Sequence, residues 1–315
     1  MLHLCQYLPQ IFYLQRFLKF KFVNMKVIKI IVLSILVLSG YIHASPEIIE
    51  SNAVVYKIVD GVTLKLHVYN PKNFDAQETH NAIVFFHGGG WSNGSYKAFK
   101  RQSMYLASRG MVAISAEYRL KNTHGTTPYD AVEDAKSAIR FVRKHANKFK
   151  INPKTITAGG GSAGGHLAAS CGLLKIWDNT DEDLSVSSKP NALVLLNPVL
   201  DLGPGHYAHK RFGKDFKLLS PMQNISENAP PTIILVGTED RIVPVSTVKK
   251  YQSKMESFNN RCDVVLYEGQ GHAFFAKPPL KYFVETTDEI DRFLVSLGYL
   301  KGQSTIKNQY KFNIN

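Results

Sequence analysis

The sequence predicts an α/β fold in which a mostly parallel central sheet has helices on both faces and an antiparallel hairpin at its N-terminal edge. Two β-rich runs meet at Asp60-Gly61, a dipeptide typical of tight hairpin turns. After it, short runs that are apolar throughout alternate with longer segments of helical periodicity, as in parallel sheets that are covered on both sides. With 315 residues, 44% of them hydrophobic, the chain can bury the core of one large domain.

The predicted elements follow one another in a regular order. The hairpin strands are expected at 53–58 and 62–69. Apolar residues at helical spacing, among them Val132 and Ile139, predict a helix over 130–146. The same reasoning places the later strands at 82–86, 111–115, 155–158, 192–196, 232–236 and 262–267, and the other helices at 97–108, 163–174, 245–258 and 282–297.

Residues 1–44 are typical of a leader rather than of a folded domain. A short basic start leads into an apolar run at 30–38 and then to small residues, which predicts a signal peptide at 25–44. Residues 1–24 then have two alternative interpretations. Either they precede the true translation start at Met25, or they form an unusually long basic region at the start of the signal peptide. Because the apolar run is shorter than the ~20 residues of a spanning helix, we expect no stable membrane span after processing, and a secreted or periplasmic protein.

The rest of the chain is predicted to be one domain at 45–300 followed by a polar, frayed tail at 301–315. Of the net charge of +13, five positive charges lie in residues 1–44, which contain no acidic residue, and the remainder is spread along the chain. No basic stripe or nucleic-acid-binding motif accompanies this charge, so we expect no nucleic-acid partner.

The segment at 159–166 reads GGGSAGGH and lies between a predicted strand and a predicted helix. At its centre Ser162 occupies the pattern G-x-S-x-G, whose glycines permit a strained turn that presents a nucleophilic hydroxyl. The first N–H groups of the following helix lie where an oxyanion would form. The glycines also fit the dinucleotide pattern G-x-G-x-x-G, but this motif is mid-chain and the acids after it lie in a polar loop. A purely structural glycine turn is the other alternative.

A second glycine-rich segment, HGGGW at 87–91, follows an apolar strand. Successive glycines allow backbone N–H groups to face a carbonyl oxygen of a substrate, and such a loop is expected upstream of the nucleophile in this order of elements. We interpret His87 as a residue that orders this loop rather than as a catalytic base.

A serine nucleophile needs a base and a carboxylate that orients it, in the chain order serine, acid, histidine. Among eleven histidines, His272 lies in a glycine-containing loop directly after the last predicted strand. Asp240 follows the strand before it and is the favoured acid. Asp201, one strand earlier, and Glu239 are the alternatives.

The chain resembles the α/β-hydrolase superfamily, and within it the acetyl esterase/lipase branch that includes hormone-sensitive-lipase-like enzymes and is similar to secreted bacterial carbohydrate esterases. The resemblance covers about residues 50–297 and rests on HGGGW (87–91), EYRL (117–120), the acidic pair Asp130 and Asp134, GGGSAGGH (159–166), GTEDRIVP (237–244) and EGQGHAFF (268–275). It implies that Ser162, Asp240 and His272 form the catalytic triad. It also implies that the amides of Gly89, Gly90 and Ala163 form the oxyanion hole.

These motifs together predict a serine esterase that cleaves short-chain, acetyl-like esters and deacylates polysaccharides. No large helical cap precedes the hairpin, so we expect an open cleft in which Trp91 is exposed. The polar segment 201–211 is expected to border the alcohol side, with His206 as a substrate-binding residue. No metal or cofactor is expected, since no motif for either is present. The alternatives are an amide or formamide hydrolase, a general carboxylesterase, and a binding protein without catalytic activity.

Overall fold

A computed structural model of the chain describes residues 52–72, 74 and 79–310. The predicted leader and residues 311–315 lie outside the described residues. In the part described, no helix has the length and apolar character needed to cross a membrane.

Eight strands form one sheet in the order β1-β2-β4-β3-β5-β6-β7-β8. The two hairpin strands pair antiparallel, β2 pairs antiparallel with β4, and all other pairs are parallel, so the predicted fold class is confirmed. The strands are β1 Asn52–Val59, β2 Val62–Tyr69, β3 His80–Phe86, β4 Val112–Ala116, β5 Ile151–Gly161, β6 Ala192–Leu196, β7 Thr232–Gly237 and β8 Cys262–Tyr267.

Helices cover both faces of this sheet. Longer helices are connected by short helical turns, and the 3₁₀ turns lie at Tyr96–Phe99, Gly213–Asp215, Pro221–Asn224 and Phe274–Ala276. The α-helices are α1 Lys100–Ser108, α2 Lys121–His124, α3 Pro128–Lys144, α4 Ala163–Leu173, α5 His209–Phe212, α6 Phe216–Leu219, α7 Val245–Ser257, α8 Lys281–Ser296 and α9 Ile306–Gln309.

Side chains of the central strands point alternately to the two faces of the sheet, and this divides the core into two layers. In β3, Val84 and Phe86 pack on the face covered by α3, α4 and α7, whereas Ile83 and Phe85 pack on the face covered by α1 and α8. All four side chains are almost completely buried. Successive residues of a strand point to opposite faces, so a strand that is covered on both sides is apolar at every position.

The strand order reverses at β3, which pairs with β4 on one side and β5 on the other. In open α/β sheets such a reversal opens a crevice at the carboxyl ends of the strands. The register pairs Phe86 with Gly160, so the glycine-rich loops that follow β3 and β5 emerge side by side at this edge.

Two expectations for the ends of elements are wrong. The strand predicted at 155–158 extends over Ile151–Gly161. The segment after 300 is not frayed up to residue 310, because Ile306 is fully buried and Tyr105 accepts a hydrogen bond at 3.1 Å on its hydroxyl from the backbone N–H of Thr305. A polar segment can still pack against the domain when one apolar side chain is buried and its backbone groups form hydrogen bonds.

Candidate active site

Ser162 lies on the sharp turn between β5 and α4. Its φ of 55° is in the left-handed region, which a non-glycine residue adopts only where its surroundings hold it there. The turn needs glycine two residues on: a Cβ on Gly164 would lie 2.0 Å from the carbonyl oxygen of Phe86. The helix therefore starts directly against the end of β3, and the serine hydroxyl faces the crevice.

The structure brings the three predicted triad residues into one hydrogen-bonded chain. Ser162 Oγ lies 2.9 Å from His272 Nε2, and His272 Nδ1 lies 2.7 Å from Asp240 Oδ2. The second carboxylate oxygen of Asp240 accepts hydrogen bonds at 2.9 Å from the backbone N–H groups of Ile242 and Val243. Both oxygens of this buried carboxylate are thus engaged, and its orientation toward the imidazole is fixed.

The two alternative acids lie elsewhere. Asp201 Oδ2 is 3.4 Å from His206 Nε2, and Asp201 Oδ1 accepts at 2.8 Å from the backbone N–H of Gly203. Glu239 is exposed to solvent. Neither is paired with His272, so the geometry favours Asp240.

Asn197, at the carboxyl end of β6, was missed by the sequence reasoning. Its side-chain nitrogen lies 3.3 Å from His272 Nε2, and its side-chain oxygen accepts at 3.3 Å from the backbone N–H of Ala273. It is fully buried and thus holds the histidine loop beside the serine. The only sequence signal was its position directly after a strand.

The loop after β3 runs along the same cleft. Gly89 has a φ of 119°, and a Cβ there would lie 2.0 Å from the carbonyl oxygen of Asn93, so only glycine fits. The N–H groups of Gly89 and Gly90 donate to no acceptor in the described part of the chain. Ala163 is the first residue of α4, whose N–H has no partner within the helix. These three N–H groups are available for an oxyanion.

The EYRL segment at 117–120 holds this loop in place. The hydroxyl of Tyr118 donates to the carbonyl of His87 at 2.8 Å, and the backbone N–H of Lys121 donates to the carbonyl of Trp91 at 3.0 Å. Burial lowers the pKa of His87 and so favours its neutral form. Its Nδ1 lies 2.8 Å from the carbonyl oxygen of Gly88. His87 thus orders the loop, as the sequence indicated.

Buried charges anchor the EYRL segment in turn. Arg119 donates through Nε and Nη2 to the carboxylate of Asp134 on α3, at 2.8 and 2.9 Å. Lys57 on β1 donates to the same carboxylate at 2.8 Å. Because a buried charge that loses its partner is strongly unfavourable, this cluster fixes the distance between the helix and the loop.

The expected placement of Trp91 and His206 in the cleft is wrong. Trp91 is only 1% exposed, and its indole packs edge-on against His166, at 5.1 Å between ring centroids. The physical reason is backbone geometry: Gly90 and Trp91 both have φ near 60°, so the chain turns back and the indole lies beneath the loop. His206 is paired with Asp201, and two other residues of the predicted segment 201–211, Tyr207 and Arg211, line the cleft instead.

The cleft at Ser162 has a volume of about 600 Å³, and its lining contains an apolar and a polar group of residues. The apolar group, called the apolar end below, consists of Ala98, Phe99, Phe275 and Ala276. The polar group, called the polar end, consists of Ser92, Asn93, Tyr207 and Arg211 and gathers around the loop of Gly89 and Gly90. Such a site can hold both a small apolar group and a larger polar group of one substrate. Elsewhere in the described residues, no group of three or more His, Cys, Asp or Glu side chains is arranged to hold a metal ion.

Two family models match successive parts of the chain. The one described as BD-FAE matches residues 66–206, which include the loops after β3 and β5. The dienelactone hydrolase family matches residues 208–292, which include Asp240 and His272.

Most of the curated relatives are esterases, and one is an endo-1,4-beta-xylanase B of Butyrivibrio fibrisolvens. The chain is 28% identical over 233 residues to an acetylxylan esterase of Xylanibacter ruminicola, a match that covers 69% of this chain and 45% of that protein. It is 28% identical over 260 residues to a probable isoprenylcysteine alpha-carbonyl methylesterase of Arabidopsis thaliana, covering 74% of this chain and 53% of that protein. The chain thus spans about half the length of the curated relatives that it matches.

Among solved structures, the apo form of Thermogutta terrifontis esterase 2 is 40% identical, with a TM-score of 0.78, and the match covers 83% of this chain and 100% of that one. The same esterase is known with propionate or butyrate bound, phosphonylated by sarin and phosphorylated by paraoxon. This match, at 40% identity over the full length of the known esterase, shows that the chain belongs to the serine esterases of the α/β-hydrolase fold.

Proposed function

We propose that this chain hydrolyses short-chain carboxylic esters through Ser162, His272 and Asp240. The observation that carries the proposal is the continuous hydrogen-bonded chain from the serine hydroxyl to the buried carboxylate, at the floor of an open cleft. A serine hydroxyl is a weak nucleophile at neutral pH, and a neutral imidazole within hydrogen-bond reach is the group that activates it.

In the acylation step, Ser162 Oγ attacks the ester carbon while His272 Nε2 takes its proton. The carbonyl oxygen becomes an oxyanion that the N–H groups of Gly89, Gly90 and Ala163 stabilise. His272 then returns the proton to the leaving alcohol, and the C–O bond breaks. Asp240 accepts from Nδ1–H throughout, which fixes the tautomer and stabilises the imidazolium.

In the deacylation step, water takes the place of the alcohol. His272 removes a proton from the water, whose oxygen attacks the acyl carbon, and the same three N–H groups receive the second oxyanion. The proton then returns to Ser162 Oγ as the carboxylic acid leaves.

The apolar end of the cleft supports a small acyl group. Phe99 and Phe275 stack with centroids 6.0 Å apart, and the ring of Phe275 approaches Gly161 beside the nucleophile. These rings bound the space in which an acyl chain would lie. That a similar esterase binds propionate and butyrate supports the same size of acyl group for this chain.

We expect kcat/KM to be highest for acetyl to butyryl esters and at least about tenfold lower for octanoyl, because a longer chain would clash with the rings of Phe99 and Phe275. A series of p-nitrophenyl esters measures this. Phe275→Ala should shift the optimum to longer chains, and Phe258→Ala, a partly exposed phenylalanine outside the cleft, should not. An optimum at octanoyl or longer in the unmodified enzyme contradicts the proposal.

We infer further that the natural reaction is the deacylation of a saccharide. The polar end of the cleft suits a hydroxyl-rich alcohol, and the similarity to an acetylxylan esterase supports it. Release of acetate from acetylated saccharides, with formyl anilides included in the same panel, separates this function from general carboxylesterase and from amide hydrolysis. No acetate from any acetylated saccharide would refute the saccharide substrate.

We also propose that residues 25–44 direct export and are removed. The pattern of basic, apolar and small residues supports this, and these residues lie outside the described part of the chain. N-terminal sequencing of exported protein is expected to begin near Ser45. A mature protein that still begins before Lys26 would contradict the proposal.

A further inference from the structure

Arg211 introduces a charge into the cleft that ester hydrolysis itself does not use. Among the described residues that line the cleft, it is the only lysine, arginine, aspartate or glutamate. It lies at the polar end, next to Tyr207 and the loop of Gly90. The electrostatic character of this end is therefore set by one guanidinium group.

The guanidinium is held in a defined position. Nη1 donates to the carbonyl of Gly90 at 2.8 Å, and the group lies 5.8 Å from the ring centroid of Tyr207 and 6.0 Å from that of Trp91. Such contacts with aromatic faces restrict an arginine without using its other donors. One edge of the group therefore contacts the protein, and the remaining N–H groups are available to a ligand.

No carboxylate of the described residues lies within 4.0 Å of this guanidinium; the same holds for Arg101, Arg143 and Arg241, but none of these lines the cleft. Other arginines of the domain do have a carboxylate partner. Arg109 is paired with Asp291, and Arg119 with Asp134. An arginine that is positioned but left without an anion at the mouth of a substrate cleft is suited to bind an anion of the substrate, in the forked geometry that guanidinium and carboxylate share.

The position of this charge also indicates which part of the substrate bears the anion. At the apolar end, Phe99 and Phe275 would remove water from a carboxylate and offer no hydrogen bond, which is unfavourable. The polar end offers Arg211 and the Tyr207 hydroxyl. An anionic group therefore fits the alcohol part of the ester, with the small neutral acyl group at the apolar end.

We propose that Arg211 is a specificity-determining residue that binds a carboxylate on the alcohol part of the substrate. The substrate class is an acylated alcohol that carries a carboxylate, such as an O-acetylated uronosyl saccharide or an acetylated phenolic acid. The proposal rests on the proposed ester hydrolysis and adds the charge of the substrate to it.

The test compares 3-acetoxybenzoate with 3-acetoxybenzamide, which differ in charge and little in shape. We expect the unmodified enzyme to favour the carboxylate by at least about fivefold in kcat/KM, with a preference that falls as salt is added. Arg211→Gln should abolish the preference mainly by lowering kcat/KM for the carboxylate ester, and Arg211→Lys should retain part of it. Lys210→Gln, which removes the same charge from an exposed neighbour outside the cleft, should leave it unchanged.

An equal loss for both esters in Arg211→Gln would show that the residue acts through the Gly90 loop, and would overturn the proposal. Equal rates for both esters in the unmodified enzyme would also overturn it while leaving ester hydrolysis intact. Binding of 3-hydroxybenzoate and 3-hydroxybenzamide, followed by NMR titration, needs no turnover. A preference for the carboxylate that disappears in Arg211→Gln supports the site even if the proposed ester hydrolysis fails, and equal binding refutes it.

Acetylated pectin and acetylated xylan distinguish the sources of the carboxylate. Faster acetate release from pectin, lost in Arg211→Gln, identifies a uronosyl saccharide. A preference confined to the aromatic ester identifies a phenolic acid. Equal release from both polymers together with equal rates on both aromatic esters refutes the carboxylate.

Discussion

Substitution of Ser162 by alanine is expected to lower kcat by about 10⁶-fold, because no other group can attack the ester carbon once the hydroxyl is gone. His272→Ala should cost about as much, since the serine then has no base at hydrogen-bond distance. The double variant should be no slower than either single variant, because the two side chains act as one unit. Steady-state hydrolysis of p-nitrophenyl acetate measures all three rates.

Covalent labelling identifies the nucleophile directly, and circular dichroism of Ser162→Ala verifies that the fold is retained. The similar esterase of known structure is phosphorylated by paraoxon, so we expect one equivalent of paraoxon to add to the unmodified enzyme and none to Ser162→Ala. Ser257→Ala, which changes an exposed serine at the end of α7, serves as the matched control and should label and turn over normally. Full labelling of Ser162→Ala, with activity retained, would refute the assignment of the nucleophile.

The sheet and the three loops of the site could be predicted because their signals are local. Strands that are buried on both faces are apolar throughout, and the turn at Ser162 admits only glycine at certain neighbouring positions. Both constraints involve only residues that are close together in the sequence. The order of serine, acid and histidine then follows from the order of the strands.

Features that depend on distant contacts could not be predicted in this way. Trp91 is aromatic and follows a glycine loop, which suggested exposure, but two successive backbone angles direct it inward. Asn197 contributes through a contact with a residue 76 positions away in the chain. The segment 201–211 was expected beside the cleft, but that Arg211 rather than His206 enters it depends on a contact 121 positions away. No periodicity or spacing encodes such pairs.

The second large loss of activity is expected when the triad acid is changed, and the geometry favours Asp240 over Asp201 for that role. In Asp240→Asn we expect kcat to fall by about 10⁴-fold, because the amide reverses the hydrogen bond to the imidazole. The N–H groups of Ile242 and Val243 require an acceptor at the first side-chain oxygen, so the asparagine NH₂ group must face His272 Nδ1.

Nδ1 must then accept a hydrogen bond, which places the proton of the neutral imidazole on Nε2, where it can no longer receive the proton of Ser162. Asp201→Asn is the matched control, since that carboxylate contacts His206 and not the triad, and it should retain activity within about threefold. Circular dichroism and thermal unfolding of both variants verify the fold. If Asp201→Asn were the inactive variant and Asp240→Asn the active one, the assignment of the acid would be wrong, because the geometry that orients His272 would then have no effect on the rate.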